Sequence, residues 1–320
     1  MSLRIPTPHG RPWSGAFNVV MATAIVSIAA RQAGLQGISD VLLVAALLAF
    51  GPLAALDGVR LRHPITMLHR AGQPGRAFPA LGFVADAAVL GTRVLTAAGP
   101  WRAIATILLI VGAIVWLAIA AELARRPVRV VSMRARAEWL LATVATEGLA
   151  ILLAHLSSTL HWLAVALWAL GGVLYVAVMA RLARRLSRSP IRPHEFTPDW
   201  WIVMGAPAIF AAAAATLDRG GLSSPIGVFG LAGWAMASFW MPVLAAAELW
   251  RARTLLPRFR PERWTMVFPL GMYSASGQLG GHVLGLAWMH AISRDWLAVA
   301  LTVWTAVAAG EIHYSFRPRR

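Results

Sequence analysis

Two carboxylic acids interrupt apolar stretches of the sequence at similar places. Asp86 and Glu147 lie 61 positions apart, and each falls well inside its stretch. An ionised carboxylate in the middle of a bilayer costs several kcal/mol unless it is paired or hydrated. We therefore expect each acid to be protonated or to have a partner. Two interpretations stay open, namely structural hydrogen bonding and coupling of transport to protons.

An arginine accompanies the first of these acids. Arg93 follows Asp86 by seven residues, which is about 10 Å along a helix, so a contact between them needs water or another helix. Arg93 could meet an anion at one end of a pore, and the alternative is an ion pair or a lipid-interface position. Because no cysteine, phosphate-binding signature or metal-spaced cluster is present, the sequence predicts no metal, no cofactor and no enzyme.

The elements that would hold these residues are membrane helices. About ten apolar stretches each approach the ~20 residues that cross a bilayer. All 29 positive charges are Arg, and 24 of them fall in alternate gaps, which places both termini and the arginine-rich loops in the cytoplasm. We expect one ten-span domain over residues 1–320 in the plasma (inner) membrane. The net charge of +16 then indicates topology and affinity for anionic lipid at the cytoplasmic face, and not a nucleic-acid partner.

The stretches repeat in pairs. Odd-numbered stretches begin near Trp13, Ala77, Ala137, Trp200 and Trp264, which are 64, 60, 63 and 64 residues apart. Such a period predicts five equivalent helical hairpins. The symmetric arrangement is a ring with the odd helices inside, around a central pore, and the even helices outside.

Polar residues favour the odd helices as the inner ones, because polar groups in hydrocarbon need partners or water. The competing explanation is that small polar residues let helices pack closely. The candidates for lining the pore or contacting an anion are Asn18, Thr23, Ser27, Arg93, Thr143, Thr146, Ser274 and Gln278.

Three segments resemble a known family of membrane proteins. Span 9 begins Arg263-Trp-Thr-Met-Val-Phe-Pro-Leu-Gly-Met-Tyr273, and its Trp-x-x-x-Phe-Pro motif is similar to the ninth helix of the tellurite-resistance/dicarboxylate transporter family. That family includes tellurite-resistance channels, malate and sulfite permeases and plant slow anion channels. Span 7 (Asp199–Ile209) and span 1 (Phe17–Ser27) resemble its malate and sulfite branch.

The resemblance implies an anion channel or carrier of five hairpins, commonly a homotrimer with separate pores. It also implies a pore-blocking phenylalanine, which is Phe268 by its position in the motif. Pro269 cannot donate a backbone hydrogen bond and should kink the helix there. Pro207 lies 62 residues earlier and should kink span 7 at a matching depth.

The predicted function is therefore transport of a small anion, such as a C4-dicarboxylate, sulfite, tellurite or an inorganic anion, with proton coupling left open. Two alternatives remain at this stage. A ten-span exporter of drugs or metabolites would show a repeat of five spans and not of two. An integral membrane enzyme acting on a lipid substrate would need Asp-rich pairs to hold magnesium-diphosphate, and the sequence lacks them.

Overall fold

The computed structural model describes residues 14–61, 74–97, 99–125, 135–189, 191–218, 220–254 and 261–315. Within these ranges the chain forms ten helices of four turns or more, and no strand. They are α1 (Ser14–Gln32), α2 (Gln36–Leu61), α3 (Pro74–Leu95), α4 (Arg102–Arg125), α5 (Leu141–Leu156), α6 (His161–Arg188), α7 (Ile202–Leu217), α8 (Pro225–Thr254), α9 (Trp264–Val283) and α10 (Ala287–Ser315). The all-helical prediction is confirmed.

Six of the described segments are long and apolar enough to cross a membrane. They are Arg102–Arg125, Ala137–Leu156, His161–Arg188, Pro198–Leu217, Pro225–Arg253 and Ala287–Tyr314. Two of them include a 3-10 turn that leads into α5 or α7, at Ala137–Leu140 and Pro198–Trp201. The chain is therefore an integral membrane protein, and the crossing of the membrane by all ten helices stays a prediction.

Burial separates the helices into two classes. The apolar windows of α5 and α7 are 83% and 89% buried inside the protein, whereas those of α4 and α10 are each 17% buried. The odd helices contact one another in a closed ring, in the order α1, α3, α5, α7, α9 and back to α1. Each even helix packs against the odd helix before it in the chain. The even helices therefore lie outside the ring.

Close contacts between inner helices depend on glycine. A Cβ atom added at Gly148 would lie 3.0 Å from Ala88 Cβ in α3, and one added at Gly271 would lie 2.9 Å from Ile25 Cγ2 in α1. Small residues let membrane helices approach one another closely, so that backbones pack directly. The ring of odd helices is held tightly at these joints.

Outer helices are also bonded to the next inner helix along the chain. Four such joints carry a side-chain hydrogen bond, and the fifth, between α2 and α3, carries stacked rings with centroids 6.5 Å apart. The bonds are Trp116 Nε1 to Thr146 Oγ1 (2.9 Å), Trp168 Nε1 to Phe210 O (3.3 Å), Ser238 Oγ with Tyr273 Oη (2.9 Å) and Trp304 Nε1 to Thr23 Oγ1 (3.0 Å). Each hairpin is thereby joined to its successor, and the last is joined to the first.

One predicted boundary is wrong. Hydropathy predicts that the ninth apolar stretch runs from Trp264 to Met289, but α9 ends at Val283 and Met289 lies in α10. Gly285 adopts a φ of 68°, a left-handed conformation that favours glycine and turns the chain. The apolar composition continues through this tight turn, so hydropathy alone could not locate it.

Candidate functional site

A cavity of about 260 Å³ lies inside the ring of odd helices. Every one of the five inner helices contributes to its wall, and the contributing residues lie between the middle of those helices and their C-terminal ends, with Thr96 just after α3. The lining residues are Ile25, Ile28, Arg31, Gln32, Ala88, Val89, Thr92, Thr96, Gly148, Ile151, His155, Ile209, Ala212, Thr216, Met272, Ala275 and Leu279.

Fifteen of these seventeen residues form three layers. Along each helix they recur at steps of three or four, the spacing that keeps side chains on one helical face. The deepest layer is Ile25, Val89, Gly148, Ile209 and Met272, the middle layer is Ile28, Thr92, Ile151, Ala212 and Ala275, and the mouth layer is Gln32, Thr96, His155, Thr216 and Leu279. The cavity therefore changes from apolar at its floor to polar at its mouth.

The mouth is open and carries positive charge. Gln32, Thr96 and His155 are exposed. Arg31 also lines the cavity, and its Nη1 donates to Gln36 Oε1 at 3.0 Å. No carboxylate is among the lining residues that the structure describes. The mouth is therefore electrostatically suited to anions.

Hydrogen bonds fix how the mouth presents its polar atoms. The hydroxyl groups of Thr92, Thr96 and Thr216 each donate to a backbone carbonyl of their own helix, over 2.7 to 2.9 Å. Nδ1 of His155 lies 2.8 Å from the carbonyl oxygen of Ile151 and must donate to it, because a carbonyl only accepts. The second ring nitrogen, Nε2, is left to the cavity.

An apolar layer closes the floor of the cavity. One helical turn before the deepest lining residues, the same faces carry Met21, Ala85, Val144, Gly205 and Phe268. All five are buried, and Phe268 is only 1% exposed. A Cβ atom at Gly205 would lie 3.4 Å from Phe268 Cε1, so the phenylalanine ring packs over this glycine. We call these five residues the floor layer.

Two prolines lie beside the floor layer. Pro207 and Pro269 are inside α7 and α9, and both helices continue through them. A Cβ atom at Gly205 would lie 3.0 Å from Pro269 Cγ, so the two helices meet closely at this depth. The kinks expected from the missing backbone donors stay a prediction.

None of the eight polar residues expected to contact an anion borders the cavity. Thr23 and Thr146 accept bonds from outer-helix tryptophans. Ser274 donates to Ser293 O at 2.7 Å, and Gln278 Nε2 donates to Ala29 O at 3.2 Å. Asn18, Ser27, Arg93 and Thr143 are buried elsewhere. Six of the eight bond to neighbouring helices, which agrees with the packing explanation for the polar residues.

Arg93 is the centre of a buried network. Its Nε donates to Ser27 Oγ at 2.6 Å, and its Nη2 donates to Ser39 Oγ and Asp40 Oδ1, each at 2.9 Å. Its Nη1 donates to Thr96 Oγ1 at 3.2 Å. The guanidinium therefore joins α1, α2 and α3 and lies in an ion pair, behind the wall of the cavity.

The two intramembrane acids also lie away from the cavity. Asp86 faces the backbone of Met21 in α1, and Glu147 packs against Gly171 in α6, where an added Cβ would overlap the carboxyl group. Both side chains are fully buried, and neither has a side-chain hydrogen-bond partner among the described residues. Such groups are stable in a membrane only when they are neutral or hydrated.

Sequence reasoning missed the residues that do line the mouth. Arg31, Gln32, His155 and Thr216 are not among the residues for which the sequence predicted a role in the pore. The 3–4 spacing of each inner helix, aligned across the five repeats, could have grouped them on one face of each helix, but could not have shown that this face lines the cavity. No group of three or more His, Asp or Glu suited to a metal occurs in the described part of the chain.

A ring of buried helices with a central cavity, surrounded by apolar outer helices, is the architecture of a membrane channel or carrier. The chain belongs to the voltage-dependent anion channel family, whose model matches residues 13–312. This is the family that the Trp-x-x-x-Phe-Pro motif predicted, so the resemblance is confirmed. Members of the family are transporters or channels and not enzymes.

Individual relatives add little about substrate. An uncharacterized membrane protein, found in two strains of Mycobacterium tuberculosis, is 33% identical over 150 residues, which is 44% of this chain and 76% of the relative. An uncharacterized transporter of Methanocaldococcus jannaschii is 24% identical over 143 residues, which is 42% of each chain. Both descriptions agree with a membrane transport protein.

Proposed function

We propose that this protein carries small anions across the plasma (inner) membrane through the ring of odd helices. The observation that carries the proposal is the central cavity, to which all five inner helices contribute; its described lining residues include Arg31, and none of them is a carboxylate. In this proposal all ten helices span the membrane, and both termini lie in the cytoplasm. The mouth layer then faces the outside, because the odd helices begin on the arginine-rich side.

The floor layer is the proposed gate. Phe268 is its bulkiest member, and the layer is apolar on every side. Hydrophobic constrictions block ions by excluding water, since an ion cannot shed its hydration shell without compensation. Phe268 packs over Gly205, where no side chain opposes it. Rotation of one ring away from this glycine would widen the constriction without moving a helix.

The proposed substrate class is a small anion. The described lining of the cavity contains no acidic residue that would repel an anion and no ring of arginines that would bind it too tightly. Conduction needs binding that is weak enough for release. A C4-dicarboxylate, sulfite, tellurite and inorganic anions all meet this description. A homotrimer and binding of anionic lipid at the arginine-rich face complete the proposal.

A proton-coupled carrier is the second candidate. The observation that favours it is the complete burial of Asp86 and Glu147, neither of which has a side-chain hydrogen-bond partner among the described residues. A neutral carboxyl group in such a place could gain and lose a proton during transport. Because Glu147 packs against Gly171 of α6, it lies between helices and outside the proposed path of the anion.

The test is anion flux in proteoliposomes that contain the full chain, with and without an imposed proton gradient. Chloride, nitrate, sulfite and malate are compared for the wild type and for Phe268→Ala. Removing the ring from the floor layer should raise the flux by an order of magnitude or more, because the apolar block is lost. Met272→Ala, which shortens a lining residue one turn above the floor layer, is the matched control.

The outcomes separate the candidates. Flux that ignores the proton gradient and rises in Phe268→Ala supports a gated channel. Malate or sulfite flux that follows the gradient supports a carrier. Unchanged flux in a correctly folded Phe268→Ala protein would remove the gate, and no flux for any anion would contradict the proposed function.

A further inference from the structure

The mouth of the cavity offers fewer hydrogen-bond donors than its composition suggests. Thr96 and Thr216 are in the mouth layer, but both hydroxyl hydrogens are already donated to backbone carbonyls. Neither hydroxyl therefore has a hydrogen left to donate to an anion, and the Thr96 oxygen also accepts from Arg93 Nη1. The donors that remain are Arg31, Gln32 and, depending on its protonation, His155.

Protonation would change the hydrogen-bonding role of the His155 side chain. Because Nδ1–H is donated to Ile151 O, the neutral ring presents the lone pair of Nε2 to the cavity. A second proton at Nε2 converts that acceptor into a donor and adds a positive charge. Histidine is the side chain that makes this change between about pH 5 and 8.

We infer that the mouth is a binding site for a small oxygen-bearing anion, held by Arg31 and completed by protonation of His155 at Nε2. Anion and proton then bind together. The guanidinium of Arg31 suits such an anion because its planar N–H groups can contact two oxygens at once. One of its nitrogens donates to Gln36, and the others are available for the anion. This inference rests on the proposed function and names a site within it.

The charges at the cavity mouth favour binding of the anion together with a proton. An anion at the mouth interacts favourably with the charge of Arg31 and with a proton on Nε2 of His155. By linkage, the anion strengthens proton binding and the proton strengthens anion binding by the same factor. Charged or titratable groups on the helices around this end of α5 are Arg31 in α1, Asp40 in α2, Arg93 in α3, Arg102 in α4, His161 in α6 and Asp218 after α7.

Those groups do not replace His155 in the site. Arg93 is paired with Asp40, and Arg102 Nη2 donates to the carbonyl of Leu156. Asp218 Oδ1 accepts from the backbone of Gly220. His155 is the one titratable lining residue of the described cavity, since Arg31 stays charged at any relevant pH.

The direct test is nitrate binding to the detergent-solubilised full chain, measured by calorimetry near neutral pH in two buffers that differ in ionisation heat. Nitrate does not titrate in this range, so any proton taken up belongs to the protein. The wild type should take up a proton fraction with each nitrate bound. His155→Gln should abolish the uptake, while His161→Gln, a nearby histidine outside the cavity lining, should keep it.

A flux test uses the same variants in proteoliposomes, in the wild type and in the Phe268→Ala background. At low nitrate, flux should be at least about fivefold higher at about pH 5.5 than at about pH 8. His155→Gln should remove that difference, and His155→Arg should give high flux at both values. Arg31→Gln should lower flux at both values because the fixed charge is lost.

The outcomes are distinct from those of the proposed function. Uptake or pH dependence that persists in His155→Gln and disappears in Glu147→Gln would overturn the inference. Nitrate flux without His155-linked proton uptake would leave the proposed function standing and overturn the mouth site. Proton-linked nitrate binding without flux of any anion would support the site and contradict the proposed function.

Discussion

Glu147 and Gly171 form one unit at the scale of single residues. The glutamate of α5 fills the space that the missing side chain of Gly171 leaves on α6. A long polar side chain can be buried in a membrane protein where a neighbouring helix provides room and the group is kept neutral. The glycine therefore determines where the acid lies and keeps it out of the cavity.

Gly171→Ala should destabilise the protein by roughly 1–3 kcal/mol, because the new methyl group overlaps the carboxyl of Glu147 and forces α5 and α6 apart. Thermal unfolding in detergent measures the change. Gly82→Ala is the control, since a Cβ there meets no atom within 4 Å. Equal destabilisation by the two substitutions would contradict the overlap, as would a failure of Glu147→Ala to rescue Gly171→Ala.

Residue types alone could not identify the side chains of the cavity. The helix period shows which residues share a face, but an inner helix has a cavity face and faces that pack on neighbours, and polar groups suit both. Thr23 and Ser274 serve packing, whereas Ile25 and Gly148, which carry no polar group, line the cavity. Phe268 could be placed near the cavity floor only because a family motif marked it.

At the scale of helices, tryptophans join hairpin to hairpin. The indole N–H groups of Trp116, Trp168 and Trp304 each donate from an outer helix to the next inner helix. In hydrocarbon such a donor has no water as an alternative partner, so the bond fixes the register of the two helices. The outer helices therefore orient the inner ones as well as shielding them from lipid.

Trp304→Phe should destabilise the protein by about 0.5–2 kcal/mol, because the ring is kept while the donor to Thr23 is lost. A double-mutant cycle with Thr23→Val isolates the bond, since the second substitution should cost little once the first is made. Trp288→Phe, at a position that is more than half exposed, is the matched control. Additive effects of the two substitutions in the cycle would argue against a bond between them.

The sequence could predict where several helices start, but it could not predict the turn between α9 and α10. The 60-to-64-residue period gave helix starts close to those of α3, α7 and α9. The turn at Gly285 was missed because Ala287 and Trp288 continue the apolar composition into α10. The repeat period shows which helices are equivalent, whereas the position of this turn depends on the positive φ angle of one residue, Gly285.

At the scale of the whole molecule, charge is distributed by side. The arginines of one set of gaps far outnumber those of the other. Positive residues near the ends of membrane helices remain in the cytoplasm during insertion. In the proposed orientation this distribution predicts a cavity mouth that faces outward, and the absence of cysteine from the sequence makes that prediction simple to test.

Single cysteines placed on opposite sides should react from opposite faces of the membrane. Ser223→Cys, before α8, should be labelled by an impermeant thiol reagent added outside intact cells, and Ser187→Cys, near the end of α6, should be labelled only after the membrane is opened. Both side chains are exposed and lie at opposite ends of their hairpins. The parent chain has no cysteine and serves as the blank. The reverse pattern would invert the proposed orientation.

The ring of inner helices can close only late in synthesis, because α1 contacts helices near the other end of the sequence. Gln278 bonds to Ala29 across 249 residues, and Trp304 bonds to Thr23 across 281. A ribosome adds about 5–20 residues each second, so α1 waits on the order of tens of seconds for its last neighbours. During that interval the unmatched flank of α1 is open to lipid or to a helper protein. Nascent chains that stop before α9 can form hairpins and pair them in order, but cannot close a pore.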